Sequence, residues 1–213
     1  MSWKEIYQER LTTAQEALLK IKDNQRVAVG HACAEPGYLV DEMVSMKEHF
    51  HNVEIVHMVA MGKSEYCQPG MEEHFHHNAI FVGGSTRKAV AEGRADFTPV
   101  YFSEVPKLFK TTMPLDAALI MVTPPDENGK VSLGVSVDYT KSAAENAKLV
   151  ISNSPQKKGI VPLPRIRRRG LSIKKVHLCG LMIFTEKTPL ILFDQFISKI
   201  RMCDFNQRSC ALF

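Results

Sequence analysis

The chain has 213 residues, a hydrophobic content of 45%, a charged content of 23% and a formal net charge of +4, which excludes low-complexity and collagen-like polymers and predicts a folded core. No run approaches the roughly 18 consecutive apolar residues of a membrane span, and Met1 to Arg10 is polar rather than signal-like, so the sequence predicts a cytoplasmic protein without a membrane partner. Cys33, Cys67, Cys179, Cys203 and Cys210 are odd in number and form no C-x-x-C pair, so they predict free thiols in a reducing compartment and neither a disulfide framework nor a metal site.

Trp3, Ile6, Tyr7, Leu11, Ala14, Leu18, Leu19 and Ile21 recur at helical spacing with charges between them, which predicts one amphipathic helix over Met1–Lys22. Asp23-Asn24 ends it. Arg26–Ala34 (RVAVGHACA) is a nearly continuous apolar run, the pattern of a strand buried on both faces of a parallel sheet, and it breaks at Glu35-Pro36-Gly37. The alternation continues with helix Tyr38–Phe50, strand Val53–Ala60, strand Ala79–Val82, helix Ser85–Glu92, strand Thr98–Phe102, helix Val105–Lys110 and strand Asp116–Val122. This order predicts an α/β fold: an open, mostly parallel sheet with helices on both faces. Pro124-Pro125-Asp126-Glu127-Asn128-Gly129 is a turn signal, read as the tip of a hairpin pairing Ala117–Thr123 with Lys130–Gly134. Tyr139–Lys148 is helical in pattern, and Leu149–Ile151 opens another strand.

Composition changes near Ile151. Ile151 to Phe213 carries 12 Lys and Arg against 3 Asp and Glu, a balance of +9, which leaves −5 for Met1 to Val150. Residues 1–151 are therefore expected to form one domain and 152–213 an atypical basic tail. SNSPQKKGIVPLPRIRRRG, with two prolines flanking Leu163 and four arginines within five residues, reads as linker or disorder.

Open α/β sheets place ligands beyond the carboxyl ends of their strands, and four motifs sit at such ends. In GHACAEPG, Glu35 could act as base or nucleophile and Cys33 as a thiol nucleophile; a buried small thiol and a turn carboxylate before Pro36 are the favoured reading. In VGGSTRKAV, Gly83 and Gly84 can turn backbone N–H groups toward an anion, with Ser85 or Thr86 capping the next helix and Arg87 adding charge; the P-loop spacing is missing. YFSEVP reads as a helix start with Ser103 as N-cap and Glu104 in the first turn. In SLGVSVDYT, Gly134, Ser136 and Tyr139 could line a pocket. The histidines of EEHFHHN, His74, His76 and His77, match no metal-ligand spacing and read as a solvated loop. RIRRRG with Lys174-Lys175 lacks interleaved aromatics, so nucleic acid is not the expected partner.

Taken in order, HACAEP, FVGGSTRKAVAEGRADFTPVYFSEVP and PPDENGKVSLGVSVDYTKSAAENAKLVI resemble the N-terminal half of the acetyl-CoA hydrolase/transferase family, 4-hydroxybutyrate CoA-transferases most of all, over Met1 to Ile151. The resemblance implies two similar open α/β halves with substrate between them. It implies transfer of CoA from an acyl-CoA to a short carboxylic acid such as acetate, through an acyl-glutamyl anhydride and a glutamyl-CoA thioester, with coenzyme A thioester as substrate and no separate cofactor. The family's catalytic glutamate lies in its second half, in a His-[Thr/Ser]-Glu-Met segment near a Gly-x-Gly-Ala-Ile-Pro segment that contacts CoA, and neither string occurs here. No catalytic residue is therefore carried over, and the departure after Ile151 suggests a frameshift or truncation. The expected cleft wall consists of Ala34, Glu35 and Pro36, Gly83, Gly84 and Ser85, and Gly134, Ser136 and Tyr139. Exposed apolar surface is expected where a second half packs, giving self-association or association with a complementary half. Two alternatives stay open: one subunit of a split CoA-transferase, and a binding module whose basic tail contacts nucleic acid.

Overall fold

The computed structural model describes residues 2–154 and the backbone of 157–164. Seven strands form one sheet: β1 (Arg26–Val29), β2 (Val53–His57), β3 (Phe75–Ala79), β4 (Ala95–Phe97), β5 (Ala117–Met121), β6 (Leu149–Ser154) and β7 (Lys157–Pro164). Their spatial order is β4-β3-β2-β1-β5-β6-β7, parallel throughout except for β7 against β6. Val27 pairs with Ile55 on one side and Ala117 on the other, so β1 and β5 are the neighbours at which the strand order reverses.

Helices cover both faces, as the alternation predicts. Helices α2 (Ala14–Leu18), α3 (Gly37–Ser45) and α4 (Arg87–Ala91) pack Leu18, Leu39, Met43 and Ala89 against Val27, Val29, Ile55 and Leu119 of the sheet. On the opposite face α5 (Val105–Leu108) and α6 (Asp138–Asn146) set Val105, Tyr139 and Ala143 on Ala28, Val56, Ile120 and Val150. The winding reverses at β1, so crossovers before β4 use one face and those after it use the other. Right-handed parallel crossovers require this arrangement.

Several local expectations are corrected. The first helix is two, α1 (Trp3–Arg10) and α2, because Ser2 with Glu5 and Thr13 with Glu16 each form a complete capping box that starts a helix afresh. The histidine segment is not a solvated loop: His76 and His77 lie in β3, which occupies Phe75–Ala79 rather than Ala79–Val82. Phe75, His77 and Ala79 are buried and His76 and Asn78 half-buried, a strand alternation hidden by its polar residue types. Strand β4 likewise comes earlier than Thr98. The turn at Asn128-Gly129 closes through Thr123 N–H to the Ser132 carbonyl (2.9 Å) and Asp126 N–H to the Lys130 carbonyl (2.8 Å), without a paired strand at Lys130–Gly134. Ser103 does not cap α5, whose first residue follows Glu104 with no side-chain cap bond. Beyond Ile151, where linker was expected, β6 runs on to Ser154 and the backbone of 157–164 adds β7, with Val150 opposite Leu163. The basic-tail expectations for 165–213, including RIRRRG, lie outside the described residues.

Candidate functional site

The loops after β1, β2, β3 and β5 all leave the carboxyl edge of the sheet, and polar side chains tie them into one continuous rim. Glu35, on the β1 loop, accepts the backbone N–H groups of Met61 (2.7 Å) and Gly62 (2.9 Å) on the β2 loop. A side chain at Gly62 would bring its first carbon within 2.7 Å of the Glu35 carboxylate, so that carboxylate would have to shift from its present position. Ser85, on the β3 loop, donates to the Ala60 carbonyl (3.1 Å) and accepts from the Ser64 hydroxyl (3.0 Å). Its hydroxyl is thus committed to the β2 loop rather than to capping α4, and Thr86, at the cap position, makes no cap bond either.

Gly83 and Gly84 behave differently from Gly62. Neither has a positive φ, and a Cβ built on either meets nothing within 4 Å. The fold itself makes no demand for glycine at these positions, which leaves the backbone of the β3 loop open to close approach from outside.

The loops after β1 and β5 meet beside the strand-order reversal. His31 Nδ1 lies 2.8 Å from Asp138 Oδ2, the Ser136 hydroxyl donates to the same oxygen at 2.7 Å, and the Thr140 N–H and hydroxyl reach Oδ1 at 3.1 and 3.2 Å. Burial by itself would raise the Asp138 carboxyl, but these donors, His31 first, outweigh it and hold Asp138 below the usual carboxylate range. Asp138 is therefore an ionised acceptor near neutrality, and His31 donates from Nδ1. Tyr139, fully buried, donates its hydroxyl to the Val29 carbonyl at 2.8 Å. Beside this cluster a pocket of about 180 Å³ is lined by Ala34 from the β1 loop and by Met121–Pro124 and Leu133–Val135 from the β5 loop. Its wall is almost wholly apolar.

Below the rim, His57 is buried between two partners: Nε2 donates to the Gly30 carbonyl (3.1 Å), and Nδ1 accepts from the Tyr66 hydroxyl (2.9 Å). Burial, then the neighbouring His77, pushes His57 down to about 3. His77 is pushed down to about 4, chiefly by burial, and its Nε2 has no partner.

A family profile described as acetyl-CoA hydrolase/transferase N-terminal domain matches residues 1–161 of the chain. The chain belongs to the acetyl-CoA hydrolase/transferase family. The family's relatives include the 4-hydroxybutyrate coenzyme A transferase of Clostridium kluyveri, 57% identical over 153 residues that cover 71% of this chain and 36% of that protein. A succinyl-CoA:acetate/propanoyl-CoA:succinate CoA transferase of Fasciola hepatica is 39% identical over 135 residues, 62% of this chain and 28% of that one. Among solved structures, a 4-hydroxybutyrate CoA-transferase from Porphyromonas gingivalis superposes with a TM-score of 0.61 at 32% identity, covering 75% of this chain and 38% of the other. RipA from Yersinia pestis shares the fold, with a TM-score of 0.68 at 18% identity over 94% of this chain and 50% of the other. The chain thus spans between 28% and 50% of the length of these relatives.

The structure brings the expected site residues to one edge but gives them unlike surroundings. Ala34 and Gly134 line the same pocket. Glu35 and Ser85 hold loops, Ser136 supports Asp138, Pro36 is buried at the start of α3, and Tyr139 lies inside the core. Cys33 is exposed, not buried as the bland reading of GHACAEPG has it. His31 and Asp138 stand inside the quoted motifs GHACAEPG and SLGVSVDYT yet were not singled out. They are 107 residues apart, and only the adjacency of β1 and β5 joins them.

Proposed function

We propose that residues 1–151 form the acyl-binding half of a CoA-transferase that moves CoA from an acyl-CoA to a short carboxylic acid, of the 4-hydroxybutyrate type with acetate as a co-substrate. The observation that carries this reading is the apolar pocket at the β1/β5 reversal, the place where open α/β sheets hold ligands; the same carboxyl edge also carries, on the β3 loop, a glycine pair the fold does not need. Water has a share of roughly 30 Å³ in the liquid, so the pocket takes about six waters' worth of a short acyl chain and not coenzyme A itself. In this reading coenzyme A is substrate rather than a resident cofactor, and the carboxylate nucleophile comes from a second half outside these 213 residues. Glu35 does not replace it, because its carboxylate is spent on two backbone N–H groups.

Surface composition supports a partner half over the same edge. Tyr38 in the first turn of α3, and Met61, Phe81, Tyr101, Phe102 and Val135 on carboxyl-edge loops, are exposed large apolar residues, with Tyr101 at 79% and Met61 at 65% exposure. The complementary half would cover them, and self-association is the alternative cover. Among the described residues no helix is long and apolar enough to cross a membrane, and the free thiols Cys33 and Cys67 suit the cytoplasm.

The test is reconstitution: co-express the chain with the C-terminal part of the C. kluyveri relative that it does not span, and assay CoA transfer from butyryl-CoA to acetate. Transfer by the mixture and not by either part supports the reading. A stable complex without transfer contradicts it.

A further inference from the structure

The N-terminal helix is lightly held. No residue of α1 is buried, and a helix of eight residues is marginal in water unless something packs against it. Trp3 and Tyr7, one turn apart on one face, tie it down: Tyr7 packs against the core on the α5/α6 face, and Trp3 meets the tip of the Pro124–Gly129 turn. The Trp3 indole N–H donates to the Glu127 carbonyl at 3.1 Å, across 124 residues of chain. Gly129, at φ 75°, lies so close to the ring that a Cβ there would come within 2.6 Å of Trp3 Cγ. The tip is thus shaped to receive this indole.

Hydrogen bonds carry the position of the tip to the apolar pocket. Asp126 Oδ1 accepts the N–H groups of Asn128 (2.9 Å) and Lys130 (2.8 Å), which closes the tip on itself. Next to it, Asp126 N–H bonds to the Lys130 carbonyl, Thr123 N–H to the Ser132 carbonyl, and Ser132 N–H to the Thr123 hydroxyl at 3.0 Å. The residues at and beside this last rung, Thr123 and Pro124 on one limb and Leu133–Val135 on the other, line the pocket. Val131 and Leu133 are buried in the core and fix the second limb. The first limb, Thr123–Pro124, depends on where the tip is held.

We propose that Trp3 is a positioning residue for the acyl pocket: α1 is a strap that, through Trp3 on the Glu127–Gly129 tip, holds the Thr123–Pro124 wall in its binding shape. The inference rests on the acyl-binding reading above and adds a regulation of that site. A ligand that needs the wall in place binds the docked form, so docking of α1 and binding of the acyl group strengthen each other by the same factor. Loss of the indole bond corresponds to about a tenfold change in the docking equilibrium.

The test uses the full chain and two variants, Trp3→Ala, which removes the anchor, and Ser2→Ala, which weakens the α1 capping box but leaves the indole and the turn intact. In Trp3→Ala without ligand, the amides of Thr123, Asp126 and Ser132 exchange about tenfold faster while those of β1 and β2 keep their rates. Calorimetry shows butyryl-CoA binding about tenfold more weakly to Trp3→Ala and a few-fold more weakly to Ser2→Ala. Trp3 is the sole tryptophan, and saturating butyryl-CoA lowers its quenching by acrylamide in the wild type. Should Trp3→Ala not fold, Ser2→Ala and the wild-type quenching decide. Equal acceleration of loop and sheet amides, or butyryl-CoA bound with unchanged affinity by both variants and unchanged quenching of Trp3, overturns the strap and leaves the acyl cleft standing. If wild type binds no butyryl-CoA at all, the cleft reading falls and this inference falls with it.

Discussion

The two edges of the sheet solve the same backbone problem with different residues. At the amino edge, before β1 and β2, the chain turns through the left-handed region at Asn24 and Asn52 (φ 60° and 51°), and the two side chains hydrogen-bond each other at 2.8 Å. Asparagine tolerates that conformation. At the carboxyl edge, after β1 and β2, the same region is occupied by Ala32 and Ser64 (φ 48° and 52°), residue types that pay for it. The amino edge is closed by ion pairs, Arg26 with Glu54 and Lys148 with Asp116, whereas the carboxyl edge carries exposed aromatic side chains and an open glycine pair. Stability is arranged at one edge, and strain and apolar exposure collect at the other, where the ligand site is proposed.

The sharpest way to break this contrast is to remove the anchor under the carboxyl edge. Tyr139→Ala should lower unfolding free energy by about 3–5 kcal/mol, because a large fully buried ring and its bond to the Val29 carbonyl are lost together. Tyr139→Phe, which loses only the hydroxyl, should cost about 1–3 kcal/mol, and urea denaturation separates the two.

Acid comes next. His57 and His77 are neutral when folded but take up protons when unfolded, starting near their ordinary 6.5. The unfolded state therefore binds more protons below that value, and stability falls as pH drops from about 6.5 toward 4 for His77 and 3 for His57, by a few kcal/mol in total. Denaturation midpoints at pH 7, 5.5 and 4.5 should fall in that order, and His57→Gln should flatten the slope. A midpoint that is level from pH 7 to 4.5 would show that the pair is not buried neutral.

Smaller effects sharpen the comparison between edges. Ala32→Gly should stabilise the chain by about 1 kcal/mol by releasing a left-handed alanine, while Asn52→Gly should change it by only a few tenths. Smallest of all, Lys148→Ala at the amino edge should cost less than about 0.5 kcal/mol, since the lysine is largely exposed and its pair is screened by water. Thermal melts of the three variants check the order.

Much of the architecture was legible in the residues. The buried run at Val27–Val29 and the alternation of apolar runs with helical periods are direct consequences of a sheet covered on both faces. The strand at β3 was not, because His77 is buried through a bond from Nδ1 to the Ile55 carbonyl at 3.0 Å that composition cannot show. The break between α1 and α2 was written in two capping boxes but masked by continuous helical spacing across Leu11–Thr13. For the site, the loops were legible and their roles were not. Glu35 is a carboxylate in a strand-end motif by sequence and a clamp on Met61 and Gly62 by geometry. His31 and Asp138 needed the strand order, which sets β5 beside β1 although β2, β3 and β4 intervene in the chain.

The most direct measurement is amide hydrogen exchange of the full chain with and without butyryl-CoA, read segment by segment. If the carboxyl edge is the acyl-binding surface, protection rises in the loops at 30–36, 58–64, 80–86 and 133–137 and stays level at Asn24 and Asn52. Protection confined to the amino edge, or none anywhere at saturating butyryl-CoA, would contradict the assignment.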